Sequence, residues 1–291
     1  MEKEVEKKEN IVLITGDLGF SVFESFQNKF PNRFFNAGIA EQNMIGVAAG
    51  LSLAGKKVFV YSIIPFITFR CLEQIRNDIC YQDRDVVLVG VGSGVSYGSL
   101  GFSHHAIEDV GCLKSIPNIT ILSPSDPNEV SALTKEAVSF KHPIYLRLGK
   151  NNEKNFNYSK SIRIGKAYYI KKGSNVALVT HGNIMEEVIL AYEKLKKHGI
   201  NASVISCPTI KPLDKQFFRA LYRDHEKVFV IEEHNTIGGL GDSLCQLNFG
   251  KTIKIGIEDH FIYEAGSQAY LRKKEGLDSD SIVKKVIRDK E

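Results

Sequence analysis

The chain has 291 residues, of which 43% are hydrophobic and 25% are charged, and its formal net charge at pH 7 is +4. This composition is typical of a soluble globular protein, and so small a charge, with no basic stripe interleaved with aromatic residues, argues against nucleic-acid binding. Because one hydrophobic core rarely extends over so many residues, we expect two domains.

The N-terminal sequence and the cysteines favour a cytoplasmic protein. The first eight residues are charged and lack the apolar core of a signal peptide, and no apolar run approaches membrane-spanning length. The five cysteines are scattered without a Cys-x-x-Cys pair, which favours reduced thiols over disulfides or a zinc site. We therefore expect no membrane association and no metal ligands in this chain.

Short apolar runs alternate with helical patterns in the first half of the chain. Strands are predicted over 11–15, 33–35, 57–62, 85–91, 119–122 and 144–146. Helices are predicted over 21–29, from Glu41 onward with Asn36 as the cap, over 66–81, and after a cap at Ser125 or Asp126. Continuous apolar strands that alternate with helices indicate a parallel sheet covered on both faces.

The same alternation continues after a polar, asparagine-rich segment at 149–160. Further strands are predicted over 176–180, 202–206, 228–232 and 252–257, and helices over 184–198, 214–222 and 237–247, with two short helices at the end, the last beginning near Ser279. The sequence thus predicts two doubly wound α/β domains: residues 1–148, a linker at 149–164, and a smaller domain at 165–291.

The most informative stretch is 36–50, which reads Asn-Ala-Gly-Ile-Ala-Glu-Gln-Asn-Met-Ile-Gly-Val-Ala-Ala-Gly. Glu41 is its one carboxylate, and most of its neighbours are small or apolar, so a large ligand can approach the backbone. An ionised carboxylate in such surroundings is costly unless it is hydrogen-bonded. A simple helix start also explains the pattern, because the helix dipole favours an acid in the first turn. From the residues alone, both interpretations stay open.

The segment Gly-Ile-Ala-Glu-Gln-Asn-Met at 38–44 resembles the signature of the pyrimidine-binding domain of transketolase-type thiamine diphosphate enzymes. The resemblance implies that Glu41 hydrogen-bonds the N1′ nitrogen of the cofactor's aminopyrimidine and favours the imino tautomer that deprotonates thiazolium C2. It extends in order from about Ile11 to Gly256 and includes motifs similar to the family's C-terminal domain. It therefore implies a mostly parallel thiamine-binding domain followed by a smaller transketolase C-terminal-like domain.

Two further segments are similar to the family and imply other site residues. In 64–77, the resemblance implies that Phe66, with Phe69 one turn further on, contacts the aminopyrimidine ring; without it, core phenylalanines of an amphipathic helix are the simpler interpretation. The loop 92–105 resembles the family loop that ends in a histidine facing the reactive carbon. His104 is the matching residue, and a histidine suits proton transfer near neutral pH, although a lone loop histidine is more often structural or merely exposed.

The remaining site assignments also follow from the resemblance. His105 and Leu100 in the loop, Arg70 after the aromatic pair, and Arg147 as an anion contact are expected to bind substrate. Asp17, in the turn after the first strand, is expected among the cofactor contacts.

The chain lacks one part of the family's site. The Gly-Asp-Gly motif and the downstream Asn that hold Mg²⁺ on the cofactor's diphosphate have no match, since Gly16-Asp17-Leu18-Gly19 lacks the third-position glycine. The resemblance thus implies the C-terminal subunit of a split enzyme that is active only with a partner. The partner chain would hold Mg²⁺ and the diphosphate, and the shared thiamine diphosphate would lie between the subunits of an α2β2 assembly.

Two substitutions bear on the substrate. Leu100 stands where sugar-phosphate transketolases place an aspartate that reads a donor hydroxyl, and Gly92 stands where they place a phosphate-binding histidine. A buried hydroxyl that loses its acceptor costs about 1–3 kcal/mol, so we expect a donor other than xylulose 5-phosphate. A ketose or 2-oxo acid with another hydroxyl pattern, or an acceptor carried on a nucleotide, stays open.

The function expected from the sequence is transfer of a two-carbon ketol unit between a ketose-type donor and an aldehyde acceptor, for example in specialised sugar biosynthesis. One alternative is the β subunit of a 2-oxo acid dehydrogenase, or a deoxyxylulose phosphate synthase-like enzyme. Another is a non-catalytic regulatory subunit, which Leu100 favours and the retained Glu41, Phe66 and His104 oppose.

Overall fold

A computed structural model describes residues 2–151, 153–156 and 161–290, so the predicted linker lies partly outside the described residues. The described strands are β1 Ile11–Thr15, β2 Phe34–Asn36, β3 Lys57–Ile63, β4 Val86–Val91, β5 Thr120–Leu122, β6 Ile144–Leu148, β7 Tyr168–Lys171, β8 Val176–Thr180, β9 Ala202–Ser206, β10 Thr209–Lys211, β11 Lys227–Asn235 and β12 Lys251–Ile257. The described α-helices are α1 Glu2–Val5, α2 Glu24–Lys29, α3 Glu41–Leu53, α4 Ile64–Thr68, α5 Leu72–Gln74, α6 Asp109–Lys114, α7 Pro127–Ala137, α8 Met185–Lys197, α9 Lys215–Asp224, α10 Leu240–Cys245, α11 Gln268–Lys274 and α12 Ser279–Lys290. No described helix has the length and apolar character needed to cross a membrane.

The first sheet has seven strands in the order β10, β5, β6, β4, β3, β1, β2, and all its pairs are parallel except that of β10 with β5. Its central strands are buried on both faces. In β4, Val86 and Leu88 join one core layer, whereas Val87 and Val89 join the other. Each such side chain contributes roughly 1.5–3 kcal/mol by burial, and an aspartate at Leu88 would place an unpaired charge in the core. The prediction of a parallel sheet covered on both faces is confirmed.

The second sheet has five strands in the order β12, β11, β8, β9, β7, and only β7 is antiparallel to its neighbour. Helix α8 packs on it through Met185, Val188, Ala191 and Leu195, which are buried and recur at helical spacing. The predicted architecture of two α/β domains is therefore confirmed.

Two local predictions need correction, and two strands were missed. Asn36 does not cap α3, because Ala40 is the N-cap residue and the Asn36 side-chain oxygen accepts from the backbone nitrogens of Asp17 and Gly38. The helix predicted over 66–81 is divided into α4, α5 and a π-helical turn at Ile75–Cys80. The Thr68 hydroxyl donates to the Ile64 carbonyl at 2.6 Å, a side-chain bond that often bends a helix. Strands β7 and β10 were not predicted.

Strand β10 connects the two halves of the chain. It follows β9 of the second sheet but pairs with β5 at the edge of the first sheet. Nearby, the Asn235 backbone nitrogen donates to the Ile107 carbonyl at 2.7 Å. The second half therefore completes the first sheet and lies against the loop that precedes α6.

Candidate active site

Glu41 is the first residue of α3 and lies at the end of a short loop that leaves β2. Its side chain is 2% exposed. The loop is held because Asn36 bonds the backbone of Gly38 at 2.9 Å and exchanges bonds with Asp17 at 2.9 and 3.0 Å. The structure thus places a buried acid at the carboxyl end of the first sheet, where parallel α/β sheets bind ligands.

Arg70 is the ion-pair partner of this acid. Its Nη1 donates to Glu41 Oε2 at 2.6 Å, and its side chain is 47% exposed. The guanidinium carbon lies 4.8 Å from the centre of the Phe66 ring, in a cation–π contact. A planar cation therefore bridges the two residues that were predicted to hold the cofactor's ring.

The contacts that Arg70 makes show which kind of group Glu41 and Phe66 can bind, and an aminopyrimidine can be compared with it. Such a ring is planar, presents one face for stacking and carries a nitrogen that bonds a carboxylate, and the Arg70 guanidinium satisfies Glu41 and Phe66 in the same two ways. Because Arg70 is half exposed, it can leave without breaking the core. The carboxylate of Glu41 and the ring of Phe66 therefore fit an aminopyrimidine.

His104 completes the cluster. Its ring centre lies 5.2 Å from that of Phe66 at an interplanar angle of 70° and 6.3 Å from that of Tyr97. Its Nδ1 shares a hydrogen bond with the Ser103 hydroxyl at 3.0 Å, which fixes the ring without burying it. The structure therefore links Glu41 to Phe66 through Arg70, and Phe66 to His104 through their ring contact.

Two other predicted residues lie exposed in the same segments. Leu100 is 54% exposed and Phe69 is 37% exposed. Both stay predictions for substrate and cofactor contacts respectively, as does Asp17, whose contact with Asn36 supports the loop before Glu41.

His105 differs sharply from its neighbour. It is 4% exposed, and neither ring nitrogen has a hydrogen-bond partner. Burial lowers the pKa of His105, although the Gly98 carbonyl and the Glu233 charge oppose this lowering. The imidazole of His105 is therefore neutral inside the loop. Its contact with substrate stays a prediction.

The prediction that Arg147 binds a substrate anion is wrong. Its side chain is 1% exposed and forms an ion pair with Asp109 at 2.8 Å. The guanidinium also donates to the carbonyls of Ala106 and Glu233, at 2.8 and 3.3 Å. An anion would have to displace Asp109, so Arg147 serves the packing of the two halves.

Lys150 was missed by the sequence reasoning. It is exposed, and its Nζ lies 5.3 Å from the centre of the Tyr97 ring, which is in turn beside His104. Lys150 follows β6 by two residues, at the carboxyl end of the sheet, and this position is the feature of the sequence that could have predicted it as a site residue.

No group of three or more His, Cys, Asp or Glu side chains capable of holding a metal ion occurs in the described part of the chain. The cluster around Glu41 instead contains one acid, aromatic rings and cations, a set suited to an organic ligand.

Comparisons with known proteins agree with this geometry. Residues 1–154 match the family model for the transketolase pyrimidine-binding domain, and residues 165–282 match that for the transketolase C-terminal domain. The chain is 37% identical to one of the subunits of apulose-4-phosphate transketolase from Actinobacillus succinogenes, over 89% of this chain and 85% of that protein. It is 33% identical to a putative transketolase C-terminal section of Methanocaldococcus jannaschii, over 98% and 92%. A solved structure described as a split-gene transketolase, inactive β4 tetramer, superimposes with a TM-score of 0.87 at 33% identity, covering 98% of this chain and 93% of that one.

Proposed function

Because this chain belongs to the transketolase family, as the C-terminal subunit of a two-chain, thiamine diphosphate-dependent transferase, we propose that it takes part in moving a two-carbon ketol unit from a ketose-type donor to an aldehyde acceptor. The observation that carries the proposal is the cluster of Glu41, Phe66 and His104, with a planar cation already placed between the first two.

Glu41, Phe66 and His104 have different roles in this proposal. When bound, thiamine diphosphate supplies the carbanion-stabilising chemistry. Glu41 holds the proton at the ring nitrogen, and Phe66 fixes the plane of the ring by stacking, worth about 0.5–1.5 kcal/mol beyond burial. His104, whose ring centre lies 5.2 Å from that of Phe66, moves protons at substrate oxygens.

A partner subunit carries the diphosphate and Mg²⁺ in this proposal, in an α2β2 assembly with the cofactor at the subunit interface. Ile39, Val47 and Leu53 support this division, because they are 81, 45 and 62% exposed on and just before α3, the helix that begins with Glu41. An apolar surface of this kind beside the site is typical of a subunit interface.

The substrate is proposed to be a sugar phosphate or similar anionic carbonyl compound other than xylulose 5-phosphate. Arg70 and Lys150 are exposed cations that contact the Phe66 and Tyr97 rings, the two rings that flank His104, whereas Leu100 offers no acceptor to a donor hydroxyl. The relative named for apulose 4-phosphate supports a phosphorylated substrate. Efficient turnover of xylulose 5-phosphate by the reconstituted pair would refute the donor assignment.

Replacing Glu41 by Gln tests the function. We expect Glu41→Gln to abolish ketol transfer by the reconstituted pair and to weaken thiamine diphosphate binding. Glu73→Gln is the matched control, since Glu73 is exposed and its carboxylate bonds only Gln74 and Asn77 among the described contacts. Activity of Glu41→Gln equal to that of the control would leave the chain a scaffold and overturn the proposal.

A further inference from the structure

The segment 92–105, which we call the histidine loop, carries His104 but contains little regular structure. Its base is closed where Gly94 and Ala106 exchange backbone hydrogen bonds of 3.0 and 2.8 Å. Between them lie only two short 3₁₀ turns, Gly98–Leu100 and Phe102–His104. The other backbone bonds within the loop each join residues three apart, so they shape its turns, whereas the position of the loop relative to Phe66 depends on the elements that hold it.

Glu233, in β11 of the second half, holds the entry of the histidine loop. Its side chain is 2% exposed, and Oε1 accepts from the Val95 backbone nitrogen at 2.7 Å. A Cβ atom at Gly94 would lie 2.4 Å from the same oxygen, and Gly94 has φ +62°. Only glycine permits so close an approach of the carboxylate to the loop.

Arg272 and Gln268, both in α11, hold Glu233 in turn. Arg272 donates to Glu233 Oε2 through Nε at 2.6 Å and lies within 2.5 Å of it through Nη2, while Gln268 donates to Oε1 at 2.9 Å. The Arg272 side chain is 8% exposed. Since both charges are buried, removing one leaves the other uncompensated, which is strongly unfavourable.

The same helix contacts the loop at two more points. Gln268 donates to the Ser96 hydroxyl at 3.2 Å. A Cβ atom at Gly98 would lie 2.5 Å from a methyl group of Leu271, so the first 3₁₀ turn packs directly on α11. The entry and the middle of the histidine loop therefore rest on the second half of the chain.

We propose that Glu233 and Arg272 are positioning residues that set the place of His104 relative to Phe66 and the reacting carbon. The second half thereby takes part in catalysis without touching the substrate. This inference rests on the proposed function, in which His104 moves protons. A displacement of about 1 Å at a catalytic group can cost on the order of a hundredfold in rate.

The competing explanation is that Glu233 and Arg272 only hold the two halves of the chain together. A variant at Glu232 distinguishes this explanation from the proposed positioning role. It precedes Glu233 in β11, is 1% exposed, and accepts from the backbone nitrogens of Leu240 and Gly241 at 2.8 Å each. Its bonds to α10 and His181 hold the second half together but do not reach the histidine loop. Glu232→Gln therefore removes a buried carboxylate of equal burial on the same strand and serves as the matched control.

The experiment compares the variants in the reconstituted two-chain enzyme. For Glu233→Gln we expect kcat to fall at least tenfold with donor KM and thiamine diphosphate Kd within twofold of wild type. Arg272→Lys, which keeps the charge, should retain more of kcat than Arg272→Met. For Glu232→Gln we expect lower thermal stability with kcat within twofold at a temperature where it is folded. Wild-type kcat in Glu233→Gln, or an equal loss in both glutamate variants, would overturn the inference.

Amide hydrogen exchange of the full chain gives a readout that needs no turnover. We expect peptides of the histidine loop to exchange at least tenfold faster in Glu233→Gln and at the wild-type rate in Glu232→Gln. Should Glu233→Gln fail to fold, Gln268→Ala removes the bonds to Glu233 and Ser96 without leaving a charge, and the same kcat loss and exchange are expected of it. Unchanged exchange in the loop refutes the inference, whereas a wild-type pair that transfers no ketol unit refutes the proposed function.

Discussion

Arg70 explains how the chain tolerates a buried acid at its site. Glu41 is 2% exposed, and Arg70 neutralises it at 2.6 Å while covering the face of Phe66. A ring that binds in the same place has to displace the guanidinium. Arg70 therefore stabilises the buried carboxylate while it covers the Phe66 ring.

Replacing Arg70 by Met should destabilise the free chain. Because Arg70 is half exposed, solvent screens the pair, and we expect a loss of only about 1 kcal/mol in the free energy of unfolding at pH 8. Urea titration of the free chain measures it. Arg76→Met is the control, since Arg76 is exposed and donates to Asn77. Equal stability of the two variants would show that Glu41 does not need this partner.

A second prediction for a single residue concerns Lys150 and the KM of a phosphorylated donor. A lysine that donates to a phosphate contributes about 1.5–3 kcal/mol, so Lys150→Ala should raise KM for a phosphorylated donor roughly ten- to hundredfold and leave an uncharged donor unaffected. Steady-state kinetics of the reconstituted pair measure both. Lys154, which pairs with Glu186 at 2.7 Å, supplies the control variant Lys154→Ala. If Lys150→Ala and Lys154→Ala had equal KM values for the phosphorylated donor, Lys150 would not be a substrate-binding residue.

At the scale of elements, the sequence predicted what periodicity and burial determine. β1 and β4 are continuous apolar runs, and the structure buries every residue of both. Asp126 was predicted as one of two possible caps, and its side chain accepts from the Glu129 backbone nitrogen at 2.8 Å. Local signals of this kind act within a few residues and can be read from one sequence.

The missed elements depend on distant partners. β10 is three residues long and forms because β5, from the other half, offers an edge. The buried pair of Arg147 and Asp109 is 38 residues apart in the chain, so Arg147 looked free in the sequence. For the site, the resemblance predicted Glu41, Phe66 and His104, but no pattern showed that Arg70 would bridge the first two or that Glu233 would reach the histidine loop.

The link between β11 and α10 should make stability depend on pH. Burial alone would raise the pKa of Glu232, but His181, His234 and the Gly241 nitrogen outweigh it and lower the pKa from 4.5 to about 2. A lowered pKa in the folded state stabilises the fold above pH 4.5, and the contribution is lost as the pH falls toward 2. Its size is on the order of 3 kcal/mol.

Urea titrations between pH 7 and pH 2 measure this contribution. We expect the difference in unfolding free energy between wild type and Glu232→Gln to be constant above about pH 5 and to shrink below it. An exposed acid, Glu226, supplies the control variant Glu226→Gln, for which the difference should stay near zero. A difference for Glu232→Gln that does not change with pH would contradict the lowered pKa.

At the scale of the whole molecule, the two halves share more than a linker. β10 completes the first sheet from the second half, Arg147 donates to the Glu233 carbonyl at 3.3 Å, and Glu233 holds the histidine loop. Buried polar contacts of this kind are costly to break singly. The halves therefore differ from domains joined only by a flexible segment, which unfold independently.

One cooperative unfolding transition is expected to follow, although chains of this length often unfold in steps. Leu178→Ala in β8 tests it, because Leu178 is fully buried in the second core and the truncation should cost about 2–5 kcal/mol. Calorimetry of the full chain should show one transition at lower temperature, and hydrogen exchange should show the amides of β4, in the other half, losing protection by the same free energy as those of β8. If the first half kept its own transition at the wild-type temperature, the contacts through β10 and Glu233 would be too weak to couple the halves, and the second half could not hold His104 in place by a shared fold.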